Sequence, residues 1–511
     1  RNYSGKRSQK YLKIYDKGFY PILCMKLDFT IEEIRAIYRQ GEDAVVALIL
    51  ELIRMNKQLE ARIQALEDQL AKNSSNSSKP PSSDGYSKPA PKSLRKRHGR
   101  KRGGQPGHTG NTLKAVESPD QIEMHQIKEC EYCHDSLDDV DVKKYEQRQV
   151  FDIPKVKIMV TEHRSEIKVC PHCGKKNKAN FPEAVTQPVQ YGPEIKAQIV
   201  YLNQYQLIPL ERTSEIMEAF YGHRLSEASL IAAGQAVAEG VEPVNEAIRR
   251  HIIMQEDVVH FDETGLRLDG KTHWLHSAST ERLTYYTVHK KRGQQAMDEV
   301  GILANLKGCA VHDGWRSYFK YNANHGLCNV HHLRRLNFLL ERYPQEWVKP
   351  MIDLLMKIKE TVDKAKENKE TNLSQEQLTK FENEYDRLVE EGLEANPLRE
   401  PEEGVPKKRG RVKQTPSRNL LETFEIHKDF VLAFMYDFRV PFDNNLAERD
   451  IRMMKLKQKI SGCFRSYRGA ESFCSIRGYV STAKKNGLQA LDAIRLVLDG
   501  KPYVLSIISL G

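Results

Sequence analysis

The sequence lacks any apolar run long enough to cross a membrane, and its nine cysteines are few for a chain of 511 residues. The first absence argues against a membrane protein, because a spanning helix needs about 20 consecutive apolar residues. The second argues against a disulfide framework, since four of the cysteines form two Cys-x-x-Cys pairs of the kind found in metal sites. We therefore expect a cytoplasmic protein with no membrane partner.

Acidic residues are nearly missing between Lys79 and Lys114, where Asp84 stands alone among many lysines and arginines. The net charge of +11 is concentrated in this stretch. Such clustering favours a polyanion, most often nucleic acid, although a solvated basic linker has the same composition. Arg and Lys alternating with Gly suit a strand lying along phosphates or in a minor groove. The candidate phosphate-binding residues are Arg95, Arg97, Arg100, Lys101 and Arg102.

The length exceeds that of one ordinary hydrophobic core, so we expect several domains. The composition shifts predict an extension of unclear role at 1–24, a helical region at 25–72, a basic linker at 73–115, a zinc-ribbon domain at 116–190 and a helical domain at 191–250. An α/β domain follows in two pieces, 251–345 and 425–490, around a helical insertion and basic linker at 346–424, and the chain closes with a tail at 491–511.

Residues 45–70 carry a heptad pattern with β-branched residues and Asn56 at position a and mainly Leu at position d. This pattern predicts a parallel two-stranded coiled coil, and hence a homodimer. An amphipathic helix packed on its own domain would carry a similar stripe. The a positions are Ile49, Asn56, Ile63 and Leu70, and the d positions are Val45, Leu52, Leu59 and Leu66.

The two Cys-x-x-Cys pairs, Cys130 with Cys133 and Cys170 with Cys173, predict one structural zinc ion in a closed tetrahedral site. Four thiolates leave no open position for catalysis. The gap between the pairs is wide, so we expect a long β-hairpin between them. Alternative ligands for a cysteine position are His125, His134 and His172.

Residues 191–250 are helical in pattern, with amphipathic stretches at 209–220 and 226–235 joined through Gly222. The spacing is compatible with a helix-turn-helix, but any αα-hairpin has the same appearance.

A three-stranded meander is predicted next, at 257–268, 271–278 and 283–289, with Asp269-Gly270 as the first hairpin turn. Asp262 lies inside the first strand, where a desolvated carboxylate costs several kcal/mol unless it is compensated. A buried hydrogen-bond network or a metal ion would compensate it. A later strand ends at Asp313 and begins an α/β alternation, which favours a mixed sheet.

A distal helix beginning at Asn444 or Asn445 carries Glu448 beside an apolar stripe of Ala447, Ile451 and Met454. Arg452 and Lys455 share the face of Glu448, whereas Asp450 projects to the other side. The spacing from Asn445 to Glu448 also fits a capping box, in which the glutamate merely closes the helix start.

Asp262, Asp313 and Glu448 together suggest a two-metal site for phosphoryl transfer, loaded with Mg²⁺ or Mn²⁺. Arg452 and Lys455 would then reach a phosphate. Strand alternation turns Glu263 away from Asp262.

Several motifs resemble the insertion sequence 66 family of bacterial transposases, and they run in the order of that family. They are Asn76-Ser-Ser-Lys-Pro-Pro-Ser-Ser-Asp84, Lys101-Arg-Gly-Gly-Gln-Pro-Gly-His108, Phe261-Asp-Glu-Thr-Gly265, Val440-Pro-Phe-Asp-Asn-Asn-Leu-Ala-Glu-Arg-Asp-Ile-Arg452, Lys459-Ile-Ser-Gly-Cys-Phe-Arg-Ser466 and Thr482-Ala-Lys-Lys485.

The resemblance implies an RNase H-like fold whose DDE triad falls on Asp262, Asp313 and Glu448. It implies a nucleoid-associated enzyme that binds terminal inverted repeats of double-stranded DNA, cleaves strands and transfers them to a target, with accessory proteins from the same element. Cys328-x-x-His331 resembles a signature of related DDE transposases, where its role is structural.

Two alternatives share these features. A non-catalytic DNA-binding regulator would use the coiled coil, linker and zinc module beside a degenerate nuclease domain. A hydrolytic nuclease on the same fold would cleave DNA without strand transfer. A substituted acid would favour the regulator, and none of the three is substituted.

Overall fold

The computed structural model describes residues 29–77, 79, 84, 113–154, 156–400 and 411–505. The five basic candidates, Arg95, Arg97, Arg100, Lys101 and Arg102, lie outside the described residues. In the described part, no helix is long and apolar enough to cross a membrane. The chain divides into two compact units, one ending at Lys72 and the other beginning at Asn73.

The first unit contains helix α1 (Ile31–Tyr38) and helix α2 (Glu42–Ala71). Thr30 and Glu33 form a reciprocal capping box that fixes the start of α1. Helix α2 runs unbroken for 30 residues and buries none of them. Val45 is partly buried, and the other apolar heptad side chains are solvent-exposed in the single chain, from 42% at Leu52 to 85% at Leu70. The helix is thus as expected, and its pairing into a dimer stays a prediction.

Each cysteine pair lies on a knuckle turn, and the two turns have the same hydrogen bonds. The backbone carbonyl of Cys130 accepts from His134 N–H, and that of Cys170 accepts from Gly174 N–H, both at 2.9 Å. Strands β1 (Ile167–Val169) and β2 (Lys176–Lys178) pair antiparallel around the second turn.

The expected long hairpin between the knuckles is wrong, because the described residues 137–154 and 156–166 contain no strand. Val150 and Met159 are almost fully exposed there, so the apolar alternation of this segment has no sheet to cover it. Pro154 also removes a backbone donor from the middle of the expected pairing.

A five-stranded mixed sheet forms the centre of the second unit. Its strands are β3 (Val258–Leu268), β4 (Lys271–Ser279), β5 (Thr284–His289), β6 (Cys309–His312) and β7 (Asn324–Leu327), in the spatial order β5-β4-β3-β6-β7. β3, β4 and β5 form the predicted antiparallel meander, while β6 and β7 join β3 in parallel. Asp269 and Gly270 both have positive φ, as a type I′ turn requires.

One large hydrophobic core lies between the sheet and helices that come from both the beginning and the end of the second unit's sequence. The helices around it are α3 (Pro193–Val200), which continues into a π-helical turn at Tyr201–Tyr205, α4 (Leu210–Tyr221), α5 (Glu227–Gln255), α6 (Gln294–Val300), α14 (Tyr467–Lys485) and α15 (Ala490–Leu498). Val241 and Ile248 of α5 are buried with Val259 of β3 and Ile476 of α14. The helices at 191–250 therefore form a layer of the sheet domain and share its core.

The helical insertion has a hydrophobic core of its own. It comprises α7 (Asn329–Arg342), α8 (Val348–Glu367), α9 (Gln375–Ala395), α10 (Pro416–Ile426), α11 (Lys428–Val431) and α12 (Ala433–Tyr436). Short 3₁₀ turns at Leu303–Asn305 and Tyr318–Lys320 flank β6. Helix α13 (Asn445–Ser461) then returns to the sheet and buries the predicted stripe of Ala447, Ile451 and Met454. The observed architecture is the mixed α/β fold expected of an RNase H-like domain.

Candidate active site

Asp262 and Asp313 occupy equivalent positions on neighbouring parallel strands. The parallel register pairs His260 of β3 with Val311 of β6. Asp262 lies two residues after His260, and Asp313 lies two residues after Val311. Hydrogen-bonded strands are about 4.8 Å apart, and residues at i and i+2 share a face. The register therefore brings Asp262 close to Asp313, the residue directly after β6, and the charge of Asp313 acts on the Asp262 carboxyl.

Glu448 comes to the same region from the first turn of α13. Leu266 and Leu268 share the face of β3 on which Asp262 lies, and they pack against Ile451 and Met454 of that helix. Asn444 anchors the helix start, because its side-chain amide donates to the carbonyl of Phe261 and its oxygen accepts from His260 Nδ1, both at 2.8 Å.

The capping-box alternative for Glu448 does not hold. The side chain of the N-cap residue Asn444 does not cap α13, because its amide donates to β3, and the N–H of Asn445 donates to Asp443 Oδ1 at 3.0 Å. Glu448 Oε1 is buried and has no hydrogen-bond partner in the described part of the chain. The glutamate therefore does not serve to close its helix.

The electrostatics of the three acids are coupled. Burial raises the pKa of the Asp262 carboxyl well above its ordinary value, and the negative charges of Glu263, Asp313 and Glu448 raise it further. The backbone N–H of Glu263 opposes this rise, because it donates to Asp262 Oδ1 at 2.8 Å. Carboxylates in such a field favour a divalent cation, which offsets their mutual repulsion and their desolvation.

Cys328 and His331 lie directly beside Glu448. In the part of the chain that the structure describes, one group of three metal-ligating side chains has its ligand atoms within 4.8 Å of one another, and it consists of these three residues. The Nδ1 atom of His331 is 3.8 Å from Glu448 Oε1. Burial, with the Glu448 charge, raises the pKa of the Cys328 thiol to about 12. The motif thus touches the candidate catalytic glutamate, a contact that the sequence did not reveal.

Glu263 lies on the opposite face of β3, as strand alternation predicts, and belongs to a network of its own. Its carboxylate accepts from Tyr318 Oη at 2.5 Å and from Arg292 Nε at 2.8 Å. The guanidinium of Arg292 stacks between the rings of Trp274 and Trp315, 5.0 and 4.1 Å from their centroids. Sequence reasoning missed Arg292, because no pattern around it indicates a partner 29 positions away.

The other charged residues of α13 have separate positions. Asp450 pairs with the Nζ of Lys485 at 2.7 Å, and both side chains are largely buried. Lys455 Nζ donates to the carbonyl of Gly265 at 2.7 Å, near the far end of β3. Arg452 is exposed. Asp450 is thus committed to a structural ion pair, which leaves Glu448 as the acid of this helix that faces Cys328 and His331.

The donor sets fit two kinds of metal ion. Asp262, Asp313 and Glu448 offer only carboxylate oxygens, which suit Mg²⁺ or Mn²⁺. Cys130, Cys133, Cys170 and Cys173 offer thiolates on matched turns, which suit Zn²⁺. Backbone N–H groups of each turn hold the pKa of Cys130 and of Cys170 below the ordinary thiol value, and so favour the thiolate form that a metal binds.

Comparison with protein-family models gives three matches. Residues 188–472 match the model described as Transposase IS66 family, and residues 128–174 match the zinc-finger binding domain of transposase IS66. Residues 29–114, which include α1 and α2, match a family of unknown function. No curated protein matched the sequence. The first match covers more than half of the chain and spans all three candidate acids, and the chain therefore belongs to the IS66 family of DDE transposases, enzymes of phosphoryl transfer.

Proposed function

We propose that this transposase binds the terminal inverted repeats of its insertion sequence and cleaves and joins DNA strands at Asp262, Asp313 and Glu448. The observation that carries the proposal is the register of β3 and β6, which brings two aspartates close together, with the start of α13 packed on the same sheet. Membership of a DDE transposase family supports the same assignment.

In this proposal the three carboxylates hold two Mg²⁺ or Mn²⁺ ions, which would activate the attacking oxygen and stabilise the leaving oxygen. Asp262 and Asp313 approach the phosphate from the sheet, and Glu448 approaches it from the helix. The hydrogen bonds of Asn444 to β3 fix the glutamate relative to the strands. Arg452, exposed one turn beyond Glu448, contacts the DNA backbone, and Lys455 is the second candidate on this helix.

We propose separate roles for the other segments of the chain. Helix α2 pairs two copies, the basic run at 92–107 lies along phosphates, and one zinc ion joins the two cysteine pairs into a DNA-binding module. The domain boundaries expected from the sequence are part of this proposal, except that the helices at 191–250 and α15 share the core of the sheet domain. Accessory proteins from the same element are its remaining partners.

The test is Asp262→Asn in the full-length protein, with a DNA duplex that carries a repeat end. We expect Mg²⁺-dependent nicking to fall at least about 1,000-fold, since the metal site loses a charged ligand. Binding of the duplex in the absence of divalent ions should be unchanged. Asp269→Asn is the matched control, because Asp269 is exposed in a turn with positive φ that Asn tolerates well.

Undiminished nicking by Asp262→Asn would remove this residue from the mechanism. Nicking without joining of the cut strand to a target duplex would favour the hydrolytic nuclease instead.

A further inference from the structure

Three side chains from two helices meet at the edge of the proposed active site. Cys328 is the N-cap residue of α7, His331 lies in the first turn of that helix, and Glu448 lies in the first turn of α13. One ligand atom of each, a sulfur, an imidazole nitrogen and a carboxylate oxygen, lies within 4.8 Å of the other two. The cluster is distinct from the four cysteines of the zinc-finger segment.

Two of these atoms are buried without a hydrogen-bond partner among the described residues. They are His331 Nδ1 and Glu448 Oε1, and their separation of 3.8 Å is too long for a hydrogen bond between them. A buried polar atom left unpaired costs about 1–3 kcal/mol, so two at one point call for a further ligand. A cation placed between them would satisfy both.

The ligand types select the class of cation. Thiolate and imidazole bind Zn²⁺ and similar ions, whereas Mg²⁺ prefers oxygen ligands. Zinc bonds to nitrogen and oxygen of about 2.0–2.2 Å in a tetrahedral arrangement place these two atoms roughly 3.3–3.5 Å apart, so the observed separation of 3.8 Å needs to shorten by only a few tenths of an ångström. The backbone N–H of Asn444 also donates to Cys328 Sγ at 3.2 Å, a contact that stabilises a metal-bound thiolate.

The geometry points to a second zinc-type site formed by Cys328, His331 and Glu448, with its fourth position open to water. The bound ion fixes one oxygen of Glu448, and the half-buried carboxylate keeps its other side for the catalytic ions. Cys328 and His331 are thereby positioning residues for the catalytic glutamate. This consequence rests on the proposed role of Glu448, whereas binding of the ion does not.

The first experiment counts zinc in the full-length protein by elemental analysis after dialysis. We expect about two ions per chain in the parent and about one in Cys328→Ala. Cys474→Ala is the matched control, because Cys474 is equally buried but belongs to no group of three metal-ligating side chains among the described residues, and it should keep both ions. One ion in the parent, or two in Cys328→Ala, would overturn the proposal.

The second experiment uses Co²⁺ in full-length protein whose four finger cysteines are replaced by Ser. A thiolate-to-Co²⁺ charge-transfer band should remain, disappear on adding Cys328→Ala, persist with Cys474→Ala, and resist a thousandfold excess of Mg²⁺. Absence of the band, or its loss to Mg²⁺, would contradict a thiophilic site. Asp262→Asn should keep both zinc ions, so a failure of the proposed nuclease function and a failure of this site give different results.

Discussion

Glu448 and Asp450 are two carboxylates on one helix with different surroundings. Glu448 Oε1 has no partner, whereas Asp450 is paired with the buried Lys485. We expect Glu448→Gln to abolish metal-dependent nicking while changing the free energy of unfolding, measured without metal ions, by less than about 1 kcal/mol, because Glu448 Oε1 has no hydrogen-bond partner among the described residues. Nicking assays and urea unfolding of the same preparation test both statements.

Asp450→Asn should have the opposite effect. It leaves the ammonium of Lys485 buried without its counter-ion, which lowers the free energy of unfolding by about 3 kcal/mol. Nicking should persist at temperatures where the variant is folded. A variant as stable as the parent would show that this ion pair has no structural role.

Asp262 also makes stability depend on pH. Burial raises its pKa, so the folded chain binds more protons than the unfolded chain between the ordinary aspartate value and the raised one. In buffer without divalent ions, the free energy of unfolding therefore decreases as the pH rises through that window. Asp262→Asn removes the effect, so at neutral pH it should be more stable than the parent. Parallel pH profiles for the two proteins would contradict this prediction.

At the scale of elements, the meander was predictable because its signals are local. Asp269-Gly270 fixes the turn, and alternation along β3 correctly separates Asp262 from Glu263. β7 was missed, since Asn324-His-Gly-Leu327 is short and contains a glycine and two polar residues. β7 is held in the sheet because it pairs with β6 and because Leu327 packs in the core of the helical insertion.

The contact of Glu448 with Cys328 and His331 could not be predicted from the sequence. Each motif was visible alone, but the whole helical insertion separates them along the chain. Their contact depends on long-range hydrogen bonds of Asn444. Its side-chain amide donates to the carbonyl of Phe261 in β3, and its backbone N–H donates to Cys328 Sγ. Such long-range bonds leave no periodicity in a sequence.

We expect dimerisation to depend on helix α2. Its exposed apolar heptad positions predict a dimer in solution, which Leu52→Glu together with Leu59→Glu should convert to a monomer by burying charge in the interface. Light scattering coupled to size-exclusion chromatography measures the mass. Gln58→Glu, outside the a and d positions, is the control and should remain dimeric. A monomeric parent protein would contradict the coiled coil.

At the scale of the whole molecule, positive charge should govern DNA affinity. Replacing Arg95, Arg97, Arg100, Lys101 and Arg102 by Ala removes up to five phosphate contacts. The slope of log affinity against log salt should then become shallower by about 4. Fluorescence anisotropy over a range of salt concentrations measures it.

A control for that variant removes the same charge from the helical insertion, at the exposed lysines Lys349, Lys357, Lys364, Lys369 and Lys380. Its slope should match that of the parent. Equal changes in both variants would indicate a general effect of net charge, with no dedicated DNA-binding run.

The position of α13 after the insertion has a consequence for biosynthesis. A ribosome releases the strands that carry Asp262 and Asp313 well before it has made Glu448. At roughly 5–20 residues per second, the interval is on the order of ten seconds. During this interval the nascent chain contains Asp262 and Asp313 but lacks Glu448 and the hydrogen bonds by which Asn444 positions it. We therefore expect a growing polypeptide, or one truncated within the insertion, to be unable to cleave the chromosome from which its message is being read.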